Sequence, residues 1–476
     1  MAQSEDISRR DVVKLAGAAG AAAVAGAKVV GAPAILKVRA DSAQVKYGMI
    51  GTGSRGDYLL GHLTKIDNGY CTALCDLNQE ALDKAAVDIK TNPKKYKDYR
   101  ELLADKDVEA VLIAVPLYVH FPVTRDSLLA GKHVFCEKSL VFKPEEVHAL
   151  RALVAEHPKQ TLQVGLQRRY SRYYQAVKNM IDKGMLGNVT HIEAQWHRNP
   201  GWTMKPGGKS NPKNWRLFRD YSGGLTAELA SHQVDVADWF FGAHPEFVMG
   251  LGGLDTWHDG RDIYDNIQLI YSYPNGRKLV YTAITTNAHC PYFGSARPEF
   301  GEMIMGTAGA VEITIGDGQR TMPTALWYRE ATPSKTTTAK EKTETTAGAT
   351  FALAGPSKGI PIYMEENEVN WKSDSFLSRE AKLGRRWLYA KGVLEPDEDR
   401  NPVETELESF FNDSRNGGHP KADLEVGLAD STAVILSNLC MDENRRVYFN
   451  EIEKMGKGGS APASTATAAA ATAKKA

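Results

Sequence analysis

Residues 45–76 read VKYGMIGTGSRGDYLLGHLTKIDNGYCTALCD, and this stretch decides the fold. Residues 45–50 predict a short buried strand, residues 57–66 a helix, and residues 71–75 a second strand. The glycines of GTGSRG stand between the first strand and the helix, and Asp76 ends the second strand. Strand, glycine turn, helix, strand and acid in this order predict the start of a doubly wound α/β sheet. The alternative is a glycine-rich turn in an α/β domain of another kind.

The glycine turn has the spacing of a dinucleotide-binding site. Gly51 permits a tight turn, Gly53 lets the main chain approach a pyrophosphate, and Gly56 lets the helix pack closely on the strand. The free N–H groups at the start of the helix would bind the phosphates. Asp76 lies 20 residues after Gly56, where a carboxylate accepts hydrogen bonds from a ribose and repels a 2′-phosphate. We therefore expect NAD rather than NADP, with contacts from Gly51, Thr52, Gly53, Ser54, Arg55, Gly56 and Asp76.

The composition limits the class of protein. The chain has 476 residues, enough for two domains of ordinary size, with 42% hydrophobic and 24% charged residues, as in globular proteins. Its formal net charge is zero, so no general attraction to nucleic acid or to an anionic membrane is expected. The five cysteines include no CxxC pair and indicate no disulfide framework.

The N-terminus resembles an export signal of the twin-arginine type. Arg9 and Arg10 precede a weakly apolar Ala/Gly run, residues 15–27, that is too short to span a bilayer. We expect residues 1–40 to be a signal peptide whose removal leaves a mildly acidic, periplasmic or otherwise extracytoplasmic protein without an integral membrane segment. The alternative is a disordered alanine-rich leader.

Strands and helices continue to alternate beyond the first unit. Apolar runs at 109–115, 133–136 and 161–164 predict further parallel strands, so residues 45–168 are expected to form a Rossmann domain with a doubly wound parallel sheet. Ligands of such sheets bind beyond the carboxyl ends of the strands.

From residue 169 the pattern changes to longer strands with aromatic alternation and hairpin turns. Residues 169–452 are therefore expected to form a second α/β domain with a large, mostly antiparallel open sheet. Residues 332–350 lack periodicity and are interpreted as an exposed loop. The Ala/Thr-rich tail, residues 456–476, is interpreted as disordered.

A second informative stretch, GGLTAELASHQVDVADW, spans residues 223–239 and predicts a helix after paired glycines. Glu228, His232 and Asp235 stand at i, i+4 and i+7, and hence on one helix face. A carboxylate beside an imidazole holds its tautomer and raises its basicity, which suits a general base near neutral pH. A buried structural His–carboxylate pair is the alternative. No third ligand at metal-like spacing is apparent, so no metal site is predicted.

Three stretches together resemble one family. AVPLYVH at 114–120, EKS at 137–139 and the GGLTAELASHQVDVADW stretch are similar to motifs of the Gfo/Idh/MocA family of glucose–fructose oxidoreductases and inositol dehydrogenases. The resemblance covers about residues 45–320 and the C-terminal helices. It implies a dinucleotide-binding domain joined to a substrate-binding α/β domain whose open sheet often supports oligomers, here a homodimer or homotetramer.

The resemblance also implies catalytic roles. Lys138 takes the place of the family's Glu-Lys-Pro lysine and would hydrogen-bond the reacting hydroxyl. Glu228 and His232 correspond to the family's Asp-x-x-x-His pair, so His232 would take the hydroxyl proton and Glu228 would orient it, while nicotinamide C4 takes the hydride. Two positions depart from the family, because Ser139 replaces the usual proline and Glu228 replaces the usual aspartate.

Further residues are expected around the site. Pro116 and His120 resemble the family's nicotinamide-side contacts, and Glu137 and Lys138 are expected at the cofactor. Candidates for substrate contact follow the last parallel strand, precede the helix of His232, or lie on the second sheet: Gln167, Arg169, Tyr170, His197, Trp215, Arg216 and His289. The alternatives are structural ion pairs for the arginines and core packing for the aromatic residues.

These features predict an exported NAD-dependent oxidoreductase that acts on a hydroxyl of a sugar, glycoside or cyclic polyol and retains its cofactor. A second hypothesis keeps the cofactor but makes the oxidation transient. A ketone acidifies the neighbouring C–H, which permits elimination of a glycosidic group, as in an NAD-dependent glycosidase or lyase. A third hypothesis is a sugar-binding protein without turnover.

Overall fold

A computed structural model describes residues 44–198, 202–287, 300–315, 324–329, 343–346, 349–352, 360–361, 370–373, 375–393 and 401–456. These residues form a six-stranded sheet, a nine-stranded sheet and a two-stranded hairpin, together with ten α-helices. The predicted signal peptide at 1–40, all but the first residue of the predicted tail at 456–476, and the site candidate His289 lie outside the described residues.

The first sheet is wholly parallel. Its strands are β1 (Val45–Ile50), β2 (Gly69–Cys75), β3 (Lys94–Tyr96), β4 (Ala110–Ile113), β5 (His133–Glu137) and β6 (Leu162–Gly165). Their spatial order, β3-β2-β1-β4-β5-β6, is that of a Rossmann sheet and confirms the predicted doubly wound fold. The order reverses between β1 and β4, which opens a crevice at the carboxyl ends of these strands.

The local sequence explains where two helices around the first sheet begin. They are α1 (Ser54–Leu63), α2 (Gln79–Ile89), α3 (Tyr99–Ala104), α4 (His120–Leu129) and α5 (Pro144–Glu156). The side chain of Asn78 accepts hydrogen bonds from two N–H groups at the start of α2. Pro144 occupies the first position of α5, where its missing N–H costs nothing.

The part of the chain after β6 contains the remaining strands. They are β7 (Val189–His197), β8 (Phe247–Gly253), β9 (Asn266–Ser272), β10 (Lys278–Ile284), β11 (Phe300–Gly306), β12 (Gly309–Ile315), β13 (Thr324–Arg329), β14 (Thr343–Thr346), β15 (Ala349–Ala352), β16 (Ile360–Pro361) and β17 (Val447–Tyr448).

The nine-stranded sheet has the order β16-β13-β12-β11-β7-β10-β9-β8-β17. Its neighbours are antiparallel except β7 and β10, which confirms the predicted mostly antiparallel sheet. One face is covered, because Ile267, Leu269 and Tyr271 of β9 are each 1% exposed. The intervening Ile270 is 40% exposed, so the other face of the sheet is open.

The part of the chain after β6 also contains five described helices: α6 (Arg172–Asp182), α7 (Ser231–Phe241), α8 (Phe376–Ala390), α9 (Pro402–Asn416) and α10 (Leu424–Asp442). A π-helical turn, Thr226–Ala230, leads directly into α7. By length and composition α10 could cross a membrane. However, 67% of its apolar 18-residue stretch is buried within the protein, as in a core helix.

Helix α9 returns to the first sheet. Its Phe411 ring lies 5.2 Å from that of Tyr47 on β1, and its Phe410 ring lies 5.8 Å from that of Phe135 on β5. Both phenylalanines are almost completely buried. One hydrophobic core of the dinucleotide half is therefore built partly from residues of α9, far along the chain from β1.

Two predictions of local structure differ from the structure. The segment interpreted as a loop at 332–350 contains β14 and the start of β15, which pair as a hairpin. The β-branched residues Thr343, Thr345 and Thr350 favour strands, and this outweighs the polar composition used for the interpretation. Helix α8 was not predicted.

Candidate active site

The glycine turn joins β1 to α1 at the carboxyl edge of the first sheet. Gly51 has a φ of +92°, and a Cβ there would overlap the carbonyl oxygen of Ala114. A Cβ at Gly56 would overlap the carbonyl oxygen of Gly51, so Gly56 lets α1 pack on the turn. A Cβ at Gly53 would meet nothing within 4 Å, so the space over this glycine is open. An open main chain at the start of a helix fits a pyrophosphate.

Asp76 is hydrogen-bonded to the glycine turn. Its Oδ2 accepts from the N–H of Thr52 at 2.7 Å and from the Thr52 hydroxyl at 3.3 Å. Its Oδ1 accepts from the N–H of Asn78 at 2.7 Å. These bonds hold the carboxylate at the end of β2 beside the turn. A carboxylate has about four lone-pair sites, so acceptor capacity remains for a ribose hydroxyl.

Arg55 connects the turn to the end of β5. Its Nε donates to Oε1 of Glu137 at 2.7 Å, and Glu137 is 6% exposed. Burial alone would lower the pKa of Arg55, but the Glu137 carboxylate outweighs burial and raises it. Ser54, the first residue of α1, is exposed beside this pair. The predicted cofactor residues from Gly51 to Gly56 thus surround one helix start.

Lys138 follows β5 and reaches the π-helical turn that leads into α7. Its Nζ donates to the carbonyl oxygens of Ala227 at 2.9 Å and Glu228 at 2.8 Å, both in the π-helical turn. Burial lowers the pKa of Lys138, and nearby carboxylates, with Glu228 first, oppose that effect. The peptide bond between Lys138 and Ser139 is cis. The two hydrogen bonds from Nζ hold the Lys138 ammonium against the turn that leads into α7.

Glu228 has a different partner from the one expected. Its Oε2 accepts from Nε of Arg216 at 2.9 Å, and within the described residues no hydrogen bond joins it to His232. Residues 226–230 form a π-helical turn with i→i+5 bonding, so the i, i+4 rule of an α-helix does not place Glu228 beside His232. Burial would raise the pKa of Glu228, but Lys138 and then Arg216 outweigh burial and lower it.

His232 lies in the first turn of α7, with 8% of its surface exposed. Its Nδ1 is buried and has no hydrogen-bond partner among the described residues. Burial, and then the positive charges of Lys138, Arg168 and Arg55, hold the pKa of His232 well below its usual 6.5. The imidazole is therefore neutral at neutral pH and can accept a proton.

His120 and Pro116 have structural roles at the mouth of the first sheet. The Nδ1 of His120 lies 2.8 Å from the carbonyl oxygen of Ser139, and its Nε2 lies 2.9 Å from that of Val115. Burial would lower the pKa of His120, but Cys136 and the two carbonyl groups raise it to about 9. A protonated ring can donate to both carbonyls and so fixes the segment after Lys138. Pro116 precedes the short 3₁₀ turn that leads into His120.

Most of the predicted substrate residues have protein partners. Arg169 donates to Asp235 at 2.8 Å, which is the structural ion pair considered as the alternative. Tyr170 is 2% exposed and belongs to the main hydrophobic core. His197 lies 3.0 Å from the hydroxyl of Thr282 and is buried at the end of β7.

The other three predicted residues that the structure describes are Trp215, Arg216 and Gln167. The guanidinium of Arg216 stacks 4.3 Å from the ring centre of Trp215 and pairs with Glu228. Gln167 follows β6, and its Oε1 is buried without a hydrogen-bond partner among the described residues. An unpartnered buried acceptor is costly, and a ligand hydroxyl would satisfy it.

Two family models match the chain. Residues 45–166 match "Oxidoreductase family, NAD-binding Rossmann fold", and residues 174–312 match "GFO/IDH/MocA C-terminal domain". Together these ranges span more than half of the 476 residues. The chain belongs to the Gfo/Idh/MocA family. The resemblance drawn from the sequence motifs is thus confirmed.

Relatives within this family have been named for several activities. An inositol 2-dehydrogenase of Salmonella typhimurium is 36% identical over 156 residues, 32% of this chain and 45% of the relative. A glycosyl hydrolase family 109 protein of Shewanella amazonensis is 31% identical over 171 residues, 34% of this chain and 37% of the relative. The chain spans about half the length of the curated relatives it matches.

Solved Gfo/Idh/MocA-like structures share the fold. The aldose-aldose oxidoreductase of Caulobacter crescentus, crystallised with glycerol, superposes with a TM-score of 0.62 at 17% identity. The match covers 85% of this chain and 99% of the other. At this identity the likeness concerns the fold alone.

Sequence reasoning about this Gfo/Idh/MocA chain missed two buried carboxyl groups near the site. Asp430 on α10 is 1% exposed and Glu406 on α9 is 0% exposed, and none of their carboxyl oxygens has a hydrogen-bond partner among the described residues. Asp430 affects the pKa of Lys138, and Glu406 lies close enough to Glu137 and Arg55 for their charges to affect its pKa. Nothing local in the sequence indicates this, because hundreds of residues separate the partners.

Proposed function

We propose that this protein is an NAD-dependent oxidoreductase that acts on a hydroxyl group of a sugar, glycoside or cyclic polyol. One observation carries the proposal. Lys138, beyond the carboxyl edge of the dinucleotide sheet, is hydrogen-bonded to the helical segment of His232, and its charge helps to keep His232 neutral. A cation and a neutral base at a dinucleotide crevice suit oxidation of an alcohol.

The residues at the crevice fit a nicotinamide dinucleotide. The open main chain at Gly53 and the start of α1 would hold the pyrophosphate, and Asp76 would hold a ribose. Once bound, the dinucleotide would supply the hydride acceptor. A carboxylate at position 76 disfavours a 2′-phosphate, which supports NAD over NADP.

The protein's own residues would then accept the hydroxyl proton and stabilise the charge left on the oxygen. His232 would take the proton of the reacting hydroxyl, because its ring is neutral and its Nδ1 has no partner among the described residues. Lys138 would donate to the hydroxyl oxygen and stabilise negative charge on it. Glu228 would act indirectly, by positioning two other residues. Its carbonyl oxygen accepts a hydrogen bond from Lys138, and its carboxylate holds Arg216 at the site.

Two measurements test this function. Mass spectrometry of the purified protein should identify the dinucleotide that it retains. A panel of sugars and cyclic polyols, inositols included, should then reveal a substrate through the near-ultraviolet absorbance of reduced nicotinamide. The inositol 2-dehydrogenase among the relatives supports the choice of panel. A protein that binds such compounds but neither reduces the cofactor nor cleaves a glycoside would instead be the binding protein considered from the sequence.

A second candidate function is glycoside cleavage through transient oxidation, which the relative named as a glycosyl hydrolase family 109 protein supports. In this reaction the hydride returns to the oxidised carbon, so no net reduced cofactor accumulates. Release of an aglycone from a chromogenic glycoside, with solvent deuterium incorporated next to the oxidised carbon, would identify it. Net accumulation of reduced nicotinamide without aglycone release would favour the dehydrogenase.

We also propose export by the twin-arginine route, with the cofactor retained and a redox-neutral cycle. The paired residues Arg9 and Arg10 support export, and a protein outside the cytoplasm has no NAD pool from which to replace a lost cofactor. Replacing both arginines by lysine should keep the protein in the cytoplasmic fraction of its host. Complete cofactor loss on a desalting column, with turnover that depends on added NAD, would contradict retention.

We further propose a homo-oligomer that uses the open face of the nine-stranded sheet. Met249, Leu251 and Ile270 on that face are 41%, 61% and 40% exposed, which is unusual for apolar strand residues facing water. Analytical ultracentrifugation should therefore find a dimer or tetramer, and Leu251→Glu should shift it toward the monomer.

A further inference from the structure

Trp196, the penultimate residue of β7, lies beside His232. The centres of the two rings are 5.8 Å apart, and their planes are inclined by 31°. The residues next to them in the chain join β7 to α7, because Nε2 of Gln233 donates to the carbonyl oxygen of Gln195 at 3.0 Å. Both glutamines are buried, so this bond is shielded from water. A molecule bound to His232 would therefore also reach the indole of Trp196.

The indole of Trp196 is packed in one orientation. Phe300 stands opposite it on β11, and the two rings stack with centres 4.0 Å apart and planes inclined by 21°. The guanidinium of Arg168 lies 5.8 Å from the centre of the indole and 5.1 Å from that of Phe300. Arg168 is paired in turn with the fully buried Glu302, which also accepts from the hydroxyl of Tyr174 at 2.9 Å. These contacts fix the direction of the indole N–H.

The indole N–H of Trp196 lacks an acceptor. Its Nε1 is buried and has no hydrogen-bond partner among the described residues, although the side chain as a whole is only partly buried. An indole nitrogen can donate but cannot accept, and a buried donor without an acceptor is costly. Trp327 on β13 also has a buried Nε1 without a partner in the described part of the chain, but it stacks on Trp387 of α8. The position beside His232 therefore distinguishes Trp196.

We propose that Trp196 contacts the substrate: its indole N–H donates to a hydroxyl on the carbon next to the reacting one, so that the protein selects vicinal diols. Each ring nitrogen reaches an oxygen at about 2.8–3.0 Å, so two rings whose centres are 5.8 Å apart can bind two oxygens of one molecule. Hydroxyls on neighbouring carbons of a sugar or cyclitol are close enough to be bound in this way. The proposal rests on the proposed function, in which His232 binds the reacting hydroxyl.

Trp196→Phe tests the contact, because it keeps an aromatic ring on the strand and removes the N–H donor. The probes are myo-inositol and glucose, each compared with its monodeoxy analogues. In wild type, loss of the hydroxyl that Trp196 binds should lower kcat/KM roughly 10–100-fold, because the buried donor is left unpaired. In Trp196→Phe the same two compounds should differ by less than about threefold. Their ratio cancels any effect of the smaller ring that both compounds share, and an unchanged ratio would overturn the proposal.

The matched control is Trp327→Phe. This variant removes the other indole N–H that is buried without a partner among the described residues, at a ring that stacks on Trp387 with centres 6.2 Å apart. Discrimination between each probe and its monodeoxy analogues should stay at the wild-type value. An equal loss of discrimination in both variants would show a general effect of lost tryptophan packing and would reject the contact.

A binding measurement separates this proposal from the proposed function. In ¹⁵N-labelled protein the indole N–H signals of the eight tryptophans can be recorded by NMR, and the signal missing from Trp196→Phe belongs to Trp196. With reduced NAD present to prevent oxidation, myo-inositol or glucose should move this signal downfield, and the analogue without the bound hydroxyl should not. A shift in a protein that oxidises no alcohol would refute the proposed function and keep the contact. No shift with either probe, or turnover without a shift, would reject the contact.

Discussion

Replacing His232 by asparagine should remove turnover without unfolding the protein. A positioned general base contributes about 10²–10⁴ in rate, so kcat should fall by that factor. Stability should fall little, by roughly 1 kcal/mol, because the buried Nδ1 has no hydrogen bond to lose among the described residues and the ring of Trp196 lies 5.8 Å away between ring centres. The expected result is therefore a catalytic loss with an almost unchanged melting temperature and unchanged dinucleotide affinity.

The matched control is His148→Asn. The Nε2 of His148 lies 2.9 Å and 3.0 Å from the carbonyl oxygens of Ile452 and Met455, none of which is a candidate site residue, so this change should lower stability and spare turnover. The wild-type pH profile adds a second check. Because the pKa of His232 is held well below 6.5, kcat/KM should show no acid limb near that value. Turnover of His232→Asn within about threefold of wild type would refute the assignment of the base.

Three further predictions concern the cofactor and stability. Asp76→Ala should weaken NAD binding and relax discrimination against NADP, as measured by titration with both dinucleotides. Gly53→Ala should fold normally, because the added Cβ meets no protein atom, but it should bind dinucleotide at least tenfold more weakly. Gly56→Ala should lower the melting temperature, because a Cβ at position 56 meets protein atoms. Burial raises the pKa of Glu146 to about 7, so its contribution to stability is lost as pH rises from about 4.5 through 7. In denaturant unfolding, the free energy of unfolding of Glu146→Gln should therefore rise relative to that of wild type by up to about 3 kcal/mol across that pH interval.

The sequence predicted the elements whose causes are local. The glycine turn, the helix that follows it and the strand that ends before Asp76 each depend on neighbouring residues, and the structure has all three. The alternation of strands and helices was enough to predict the parallel sheet. The position of Lys138 at its carboxyl edge followed from that sheet.

The missing parts of the site depend on contacts between distant residues. Ser431 binds Val141 across 290 positions, and no period or spacing in the chain indicates that contact. The partner of Glu228 differs from the predicted one for another reason. An ordinary helix was assumed for residues 226–230, and the π-helical turn changes which side chains share a face. The pairing of Glu228 with Arg216 could therefore be found only from the three-dimensional structure.

Helix α9 also determines when the dinucleotide half can finish folding during translation. Phe410 and Phe411 cover Tyr47 and Phe135, and each fully buried phenylalanine contributes roughly 1.5–3 kcal/mol. Until the ribosome has released residue 411, this apolar surface of the nascent chain stays exposed to water or to a chaperone. The part that is synthesised first is thus completed last, and a ribosome stalled before residue 402 would carry a first sheet with part of its hydrophobic core uncovered.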